Sequence, residues 1–386
     1  MNRIIFSLCL FLWGASAYAQ LRLGDERTDV YLPLLQGKRV SLFSNRTGCN
    51  QKGHHTLDVL LENGVDVQAI FSPEHGFRGT ADAGERVSSS IDPKTGIPIC
   101  SLYDTDGQNS VQETIRQTDI LVVDIQDVGL RYYTYYISML HLMEECGKAD
   151  RQVVILDRPN PNGHFVDGPI LDMSLKSGVG ALPIPIVHGM TLGELAQMAQ
   201  GERWVDHPCR LTVVPCLGYD HQTYYKLPIA PSPNLPNMRS ILLYPSLCYF
   251  EGTCVSLGRG TPYPFQHYGH PDMKDCRYHF TPQSRPGAKE PPLKGERCWG
   301  VNLRKLSVKE LRKRPAIDLG YVIDAYRRLD IGEAFFPGNF FDKLTGQTYV
   351  REMILRGASA DEIAARWQED VRRFRTQRRP YLLYAE

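Results

Sequence analysis

The sequence predicts an α/β fold, in which a mainly parallel sheet is flanked by helices and a smaller C-terminal α/β domain follows. Three observations predict it. Short apolar strand patterns alternate with helical ones through the N-terminal two-thirds, as βαβ units require. Those strands are rich in Val, Ile and Leu with little alternation, the mark of strands covered on both faces. From about Pro228 the texture changes to Pro- and Gly-rich segments and then to helices, so a second unit follows the first.

The N-terminus reads as a leader. Arg3 supplies a positive start, residues 4–13 an apolar run, and Ala17-Tyr18-Ala19 a small-x-small cleavage signal, so a signal peptide over 1–19 is expected, cut before Gln20. The run is shorter than the roughly 20 residues of a spanning helix, which leaves a retained anchor as the lesser alternative. Cys9 has no small residues just before it, unlike a lipoprotein cysteine. The expectation is an exported chain, periplasmic or extracellular, with no membrane span.

Strands are expected at 39–44, 65–71, 120–124, 153–156, 184–187 and 211–214. Helices are expected between them at 55–62, 110–117, 135–146 (with Gly147 as C-cap) and 191–200, where Thr191 and Glu194 have capping-box spacing. Beyond the Pro-rich stretch a short helix is expected, then a long surface loop over 282–296. Helices return at 318–328, 348–356 and 359–375, the last opened by a Ser359/Glu362 capping box and striped by Trp367, Val371 and Phe374. The roughly 365 residues after the leader exceed one small core and divide at 20–254 and 255–386.

Composition excludes several classes. With 44 Lys+Arg against 43 Asp+Glu, nothing in the overall charge points to nucleic acid. The basic tail (Arg372, Arg373, Arg375, Arg378, Arg379) reads as a solvated helix face. The cysteines after Cys9 are odd in number and include no C-x-x-C pair, which argues against a zinc ribbon or redox motif and for structural thiols. There is no G-x-S-x-G elbow, Walker A loop or H-E-x-x-H, and no G-x-G-x-x-G follows the first strand. No cofactor or metal is expected.

Ligands of open α/β sheets bind beyond the carboxyl ends of the strands. The residues found there are Asn45-Arg46-Thr47, then Ser72-Pro73-Glu74-His75-Gly76, then 124–133 with Asp124, Asp127, Arg131, Tyr132 and Tyr133. Asp157-Arg158-Pro159-Asn160-Pro161 and His188-Gly189-Met190 complete the rim. Convergence of polar groups with direction-fixing Gly and Pro marks a site.

Singly, each signal has a plainer reading. Glu74 follows a proline at a strand exit, where walling by Phe71 or Phe77 would raise its pKa; a helix cap or a salt-bridged loop acid is the alternative. His75 serves equally as a substrate ligand, an orienter of Glu74 or a structural histidine. Asp124 ends a buried strand and needs a partner such as Arg131 or Arg158, so a structural pair competes with catalysis. Asp127, in the loop beyond, is freer. Tyr132, Tyr133, Tyr135 and Tyr136 suit sugar faces, or core packing.

Together, Ser72-Pro-Glu-His-Gly-Phe-Arg-Gly79, Asp124-Ile-Gln-Asp-Val-Gly-Leu-Arg-Tyr-Tyr-Thr-Tyr135, Asp157-Arg-Pro-Asn-Pro161, His188-Gly-Met-Thr191 and Gly258-Arg-Gly-Thr261 resemble the exo-β-N-acetylmuramidases of the NamZ family. The resemblance runs from about Lys38 to Tyr384. It implies a Rossmann-like catalytic domain, a smaller domain closing the cleft, and release of terminal non-reducing N-acetylmuramic acid from peptidoglycan fragments. It also implies Glu74 as a principal catalytic residue.

Glycoside hydrolysis normally takes two carboxyl groups. The expected pair is Glu74 as general acid with Asp127, then Asp124, then Glu251 as partner; attack by the substrate's own acetamido group is a third route. Arg259, Arg131 and Arg158 are the candidate cations for the lactyl carboxylate. Asn45, His75, Asp157, Asn160 and His188 complete the expected binding set. Two rivals stand beside it: a metal-dependent hydrolase using Glu74, His75, Asp127 and His188, and a sugar-binding protein without turnover.

Overall fold

The computed structural model describes residues 20–73, 77, 90–102, 107–313 and 316–386. The leader, Glu74 and His75 therefore lie outside the described residues.

The chain opens with α1 (Thr28–Leu35), then β1 (Arg39–Ser44), α2 (Thr56–Glu62), β2 (Asp66–Ser72), β3 (Ser90–Ile91), β4 (Pro98–Ser101) and α3 (Gly107–Gln117). It continues with β5 (Ile120–Asp124), α4 (Tyr135–Lys148), β6 (Gln152–Leu156), α5 (Leu192–Gly201), β7 (Arg210–Val214) and α6 (Met238–Leu247). The sheet order is β3-β4-β2-β1-β5-β6-β7, parallel throughout except for the edge strand β3. Counted in chain order, the parallel strands read 3-2-1-4-5-6, the doubly wound Rossmann order. The order reverses between β1 and β5, and a crevice opens at their carboxyl ends.

Alternate residues explain why the strands look continuously apolar. Val40 and Leu42 of β1 and Ile120 and Val122 of β5 enter the cluster that holds Tyr31, Leu57 and Leu60. Phe43, Leu121 and Val123 enter the cluster on the opposite face. Each face thus takes every second side chain, and both faces are covered. The second cluster continues through Tyr244, Phe250, Phe265, Phe341 and Trp367, so the two units share one core.

The second unit carries an antiparallel sheet, β8 (His267–His270), β9 (Tyr278–Phe280) and β10 (Cys298–Asn302), in the order β8-β10-β9. Helices α7 (Val308–Lys313), α8 (Gly320–Leu329), α9 (Phe340–Thr345), α10 (Tyr349–Leu355), α11 (Ala360–Ala365) and α12 (Gln368–Arg378) follow. The 282–296 stretch is loop, as its composition predicts.

Three expectations change. The 184–187 segment is no strand of the sheet: Val187 makes only isolated bridges, to Leu130 and Asp167. Pro183 and Pro185 explain it, since neither offers a ladder N–H. The single helix expected at 359–375 is two, broken where buried Trp367 donates its indole N–H to Asp167 Oδ1 at 2.7 Å. Finally, α4 runs through Gly147 to Lys148. That glycine allows close approach, because a Cβ there would sit 2.0 Å from the His207 carbonyl oxygen. Both capping boxes, Thr191/Glu194 and Ser359/Glu362, form as expected.

Candidate active site at the sheet switch point

The rim is built from the exits of β1, β5 and β6, and most of its polar residues hold each other. Asn45 accepts from the Thr47 amide and hydroxyl (2.9 and 2.6 Å) and donates to Tyr135 Oη (3.0 Å). Thr47 Oγ1 in turn accepts from the Gln126 amide at 3.0 Å, tying the β1 exit to the β5 exit. Asn160 donates to the Met190 carbonyl and accepts from the Asn162 amide, both at 2.8 Å. These side chains fix the loops of the rim.

Asp124 and Arg158 form the structural pair that the strand end demands. Arg158 donates through Nε and Nη2 to both Asp124 oxygens (2.5 and 2.9 Å), through Nη2 to Asp25 Oδ2 (2.7 Å) and through Nη1 to the Cys49 carbonyl (2.9 Å). Thr56 Oγ1 also donates to Asp124. All three charged groups are buried. Burial, with Asp124 sharing the same guanidinium, pushes the Asp25 carboxyl up to about 7. The geometry accounts for Asp124 without a catalytic role and engages four of the five Arg158 N–H groups within the protein.

Arg131 is likewise enclosed. Its Nη1 donates to the Pro169 and Ile184 carbonyls, and its Nη2 to those of Leu344 and Thr345, at 2.7–3.2 Å. It is fully buried and stitches the first unit to α9, so the lactyl-binding role expected of it is set aside. Asp157 caps α5: it accepts from Thr191 Oγ1 (2.6 Å), the Gly193 amide (2.9 Å) and Tyr384 Oη (2.7 Å). His188 accepts from the Met190 amide through Nδ1 (3.2 Å), and burial lowers it to about 3, so it stays neutral.

Asp127 has no ion pair with any described residue, although buried atoms without a hydrogen-bond partner also occur at Asp25 Oδ1, Arg131 Nε and His188 Nε2. Asp127 Oδ1 accepts from the Gly129 amide at 2.6 Å, while its Oδ2 is buried without a hydrogen-bond partner. Burial pushes its carboxyl up to about 7. A buried orphan oxygen on a carboxyl poised near neutrality, with no cation beside it, makes Asp127 the rim's candidate acid or base. The turn that holds it depends on Gly129, at φ +76°, where a Cβ would lie 2.1 Å from Asn160 Nδ2. Gly129→Ala is expected to lower kcat about tenfold or more, by displacing Asp127, and to lower the unfolding midpoint; unchanged kcat in a folded variant would separate the turn from catalysis.

Beside the rim lies a cavity of about 310 Å³, within the range of small-ligand sites. Tyr132, Tyr133, Tyr244, Phe265, Phe340 and Asn234 are among its walls, with Glu251 and Arg259. The tyrosine hydroxyls are anchored: Tyr132 Oη donates to the Tyr244 carbonyl (3.0 Å), and Tyr133 Oη to the Pro231 carbonyl (2.9 Å). What they offer a ligand is ring surface. Arg259 donates twice to Glu251 Oε1 (3.0 and 2.6 Å), and its guanidinium stands 5.3 Å from the Phe265 centroid. Of the three arginines expected for an anion, Arg259 alone lines this space. A second cavity of about 620 Å³ shares Glu251, Arg259 and Phe340 and extends along the 287–292 loop.

The walls at Tyr244, Phe265, Phe340 and Asn234 escaped the sequence reading. Their only signal was the change of texture after Pro228. Among the described residues, no group of three or more His, Cys, Asp or Glu side chains is arranged for a metal.

The family described as exo-β-N-acetylmuramidase NamZ matches in two parts, its N-terminal domain over residues 40–239 and its C-terminal domain over 242–384. The peptidoglycan β-N-acetylmuramidase NamZ of Bacillus subtilis (strain 168) is 37% identical over 373 residues, covering 92% of this chain and 89% of the relative. A DUF1343 family protein from Bacteroides fragilis NCTC 9343 has a crystal structure that superposes with a TM-score of 0.88 at 58% identity, covering 95% of this chain and all of that one. A second from the same strain gives 0.78 at 28%, covering 94% and 99%.

Proposed function

This chain belongs to the exo-β-N-acetylmuramidase NamZ family of glycoside hydrolases, and from that premise we propose that it releases terminal, non-reducing, β-linked N-acetylmuramic acid from peptidoglycan fragments. The observation that carries the assignment of roles is Asp127, a buried carboxyl raised to about 7 with one oxygen unpartnered at the switch point. Glu74, two residues past the last residue of β2, is the general acid for the leaving oxygen, and Asp127 is the opposing carboxylate. Tyr132 and Tyr133 offer ring faces to the sugar, and Arg259 meets the lactyl carboxylate. His75 orients Glu74 or contacts the sugar. The leader pattern over 1–19 supports export of the enzyme to where the polymer lies. Among the described residues no helix is long and apolar enough to cross a membrane.

Incubation with purified muropeptides tests the reading. Free N-acetylmuramic acid and a product shortened by one sugar are expected, and no release after long incubation would overturn it.

Asp127 makes a prediction in stability as well as rate. Its carboxyl titrates near 7 when folded and near 3.9 when unfolded. Between those values the unfolded chain gives up a proton that the folded chain keeps. Stability therefore falls as pH rises from about 4 to about 7 and stays reduced above. Asn carries no such charge and preserves the Oδ1 acceptor. Asp127→Asn should be more stable than wild type at pH 8, by up to about 4 kcal/mol, with the advantage gone at pH 4. The same substitution should lower kcat by about 10²–10⁴-fold. In the wild type, the rising limb of kcat/KM should have its midpoint near 7. Equal melting temperatures at pH 8, with normal turnover, would remove Asp127 from the site.

A further inference from the structure

Away from the cleft, two open hollows of about 620 and 580 Å³ adjoin along the junction of α6 and α7 and share Tyr224 and Val308. Their linings hold Lys226, Arg239, Lys309, Arg312 and Lys313, and no acidic residue among those described. Among the described residues none of these cations is paired with a carboxylate. In a chain of net charge +1, such a cluster is a local field.

The groove is also partly rigid. Arg312 donates to the Gln222 carbonyl at 2.9 Å and holds its guanidinium 5.2 Å from the Tyr224 centroid. Tyr224 remains 48% exposed, a large ring face open to solvent. Arg239 is fixed by the Leu306 carbonyl at 2.7 Å, whereas Lys226, Lys309 and Lys313 are exposed. A flat aromatic face ringed by cations fits a sugar ring whose attached lactyl or peptide groups carry carboxylates. The groove and the cleft lie on the same stretch of chain. Pro228, Ala230 and Pro236 line the groove, while Ser232, Asn234 and Leu235 line the 310 Å³ cavity.

We propose that the Tyr224 groove is a second glycan-binding site, which holds the carboxylate-bearing strand of intact peptidoglycan while the cleft works at a chain end. The inference rests on the muramidase reading for its substrate class. The groove itself carries no catalytic group.

Co-sedimentation of the full chain with purified insoluble peptidoglycan tests it. Lys309→Glu combined with Lys313→Glu should reduce retention about tenfold, and Tyr224→Ala should reduce it while Tyr224→Phe does not. Wild-type retention should fall as salt rises from about 0.05 to 0.5 M. Hydrolysis of a small soluble muramide should stay within about twofold in every groove variant, since none of the substituted residues lines the cleft cavity and a charge outside it acts on encounter rather than on chemistry. Unchanged retention in the variants overturns the proposal. So does equal, variant-sensitive binding to phosphatidylglycerol vesicles or duplex DNA, which would make the groove a general polyanion site. Glu74→Gln should sediment like wild type. Should that variant keep full turnover, the catalytic assignment falls while the groove stands.

Discussion

Glu74→Gln is expected to lower the release of N-acetylmuramic acid from natural muropeptides by about 10²–10⁴-fold, the usual contribution of a general acid. Glutamine keeps the size of the side chain and a hydrogen-bond donor, but it cannot give a proton to the departing oxygen. The deficit should depend on the leaving group. A sugar alcohol leaves poorly without protonation, whereas an aryl oxide with a low pKa needs little help. An aryl muramide should therefore recover much of the lost rate in the same variant. KM for muropeptides should change little, since the substitution preserves shape. Equal losses on both substrates would assign Glu74 to binding or orientation.

Arg158 carries the second large effect, and it is one of stability. It bridges Asp25, just before α1, and Asp124, at the end of β5, with all three side chains buried. Arg158→Leu removes the only cation of the trio and leaves two carboxyls without solvent. The expected cost is about 3–5 kcal/mol, the usual consequence of breaking a buried pair. The cost should be pH-dependent with a defined sign. Without the guanidinium the folded carboxyls hold protons to higher pH than the unfolded ones, so the loss is fully present above neutrality and shrinks toward pH 4. Adding Asp124→Leu to Arg158→Leu should restore part of the stability, because one stranded carboxyl disappears. Urea midpoints at pH 5 and pH 8 measure both effects. An Arg158→Leu protein as stable as wild type would mean that the pair is not the strut described.

Much of the fold was legible because its strands are short, apolar and doubly covered. Bounds expected for β1 and β5 coincide with those observed, and β2, β6 and β7 shift by a residue at the ends. What escaped had weak local signals. Strand β4 is four residues long and starts with a proline, and β3 has two residues. Helix α1 contains Pro33, which argues against a helix in any window of sequence. The break at Trp367 comes from a tertiary bond to Asp167, far away in the chain.

The site was legible in part, and for a physical reason. Polar residues at strand ends can be found from sequence, but whether each faces its neighbours or a ligand depends on hydrogen-bond accounting. Asn45, Asn160 and Asp157 prove to be engaged with the protein through every side-chain polar atom, and Arg131 through both Nη atoms. The strand-end rule locates them correctly without telling a loop lock from a ligand. Asp124 was foreseeable as a pair, since a lone carboxylate at a buried strand end is costly. Asp127 keeps one buried oxygen unpartnered with no cation beside it, a property of three-dimensional packing. Arg259 and Glu251 come from the chain's later part and meet the tyrosines only because both units share a core.

Glu74 and Asp127 are expected to face one another across the bound sugar. A crystal structure of the Glu74→Gln protein with a muropeptide tests it most directly. The muramic acid ring is expected between residue 74 and Asp127, with the two side-chain termini roughly 5–9.5 Å apart, the span of glycosidase carboxyl pairs. A sugar bound with Asp127 remote from its anomeric carbon, and Glu251 in the facing position, would contradict it.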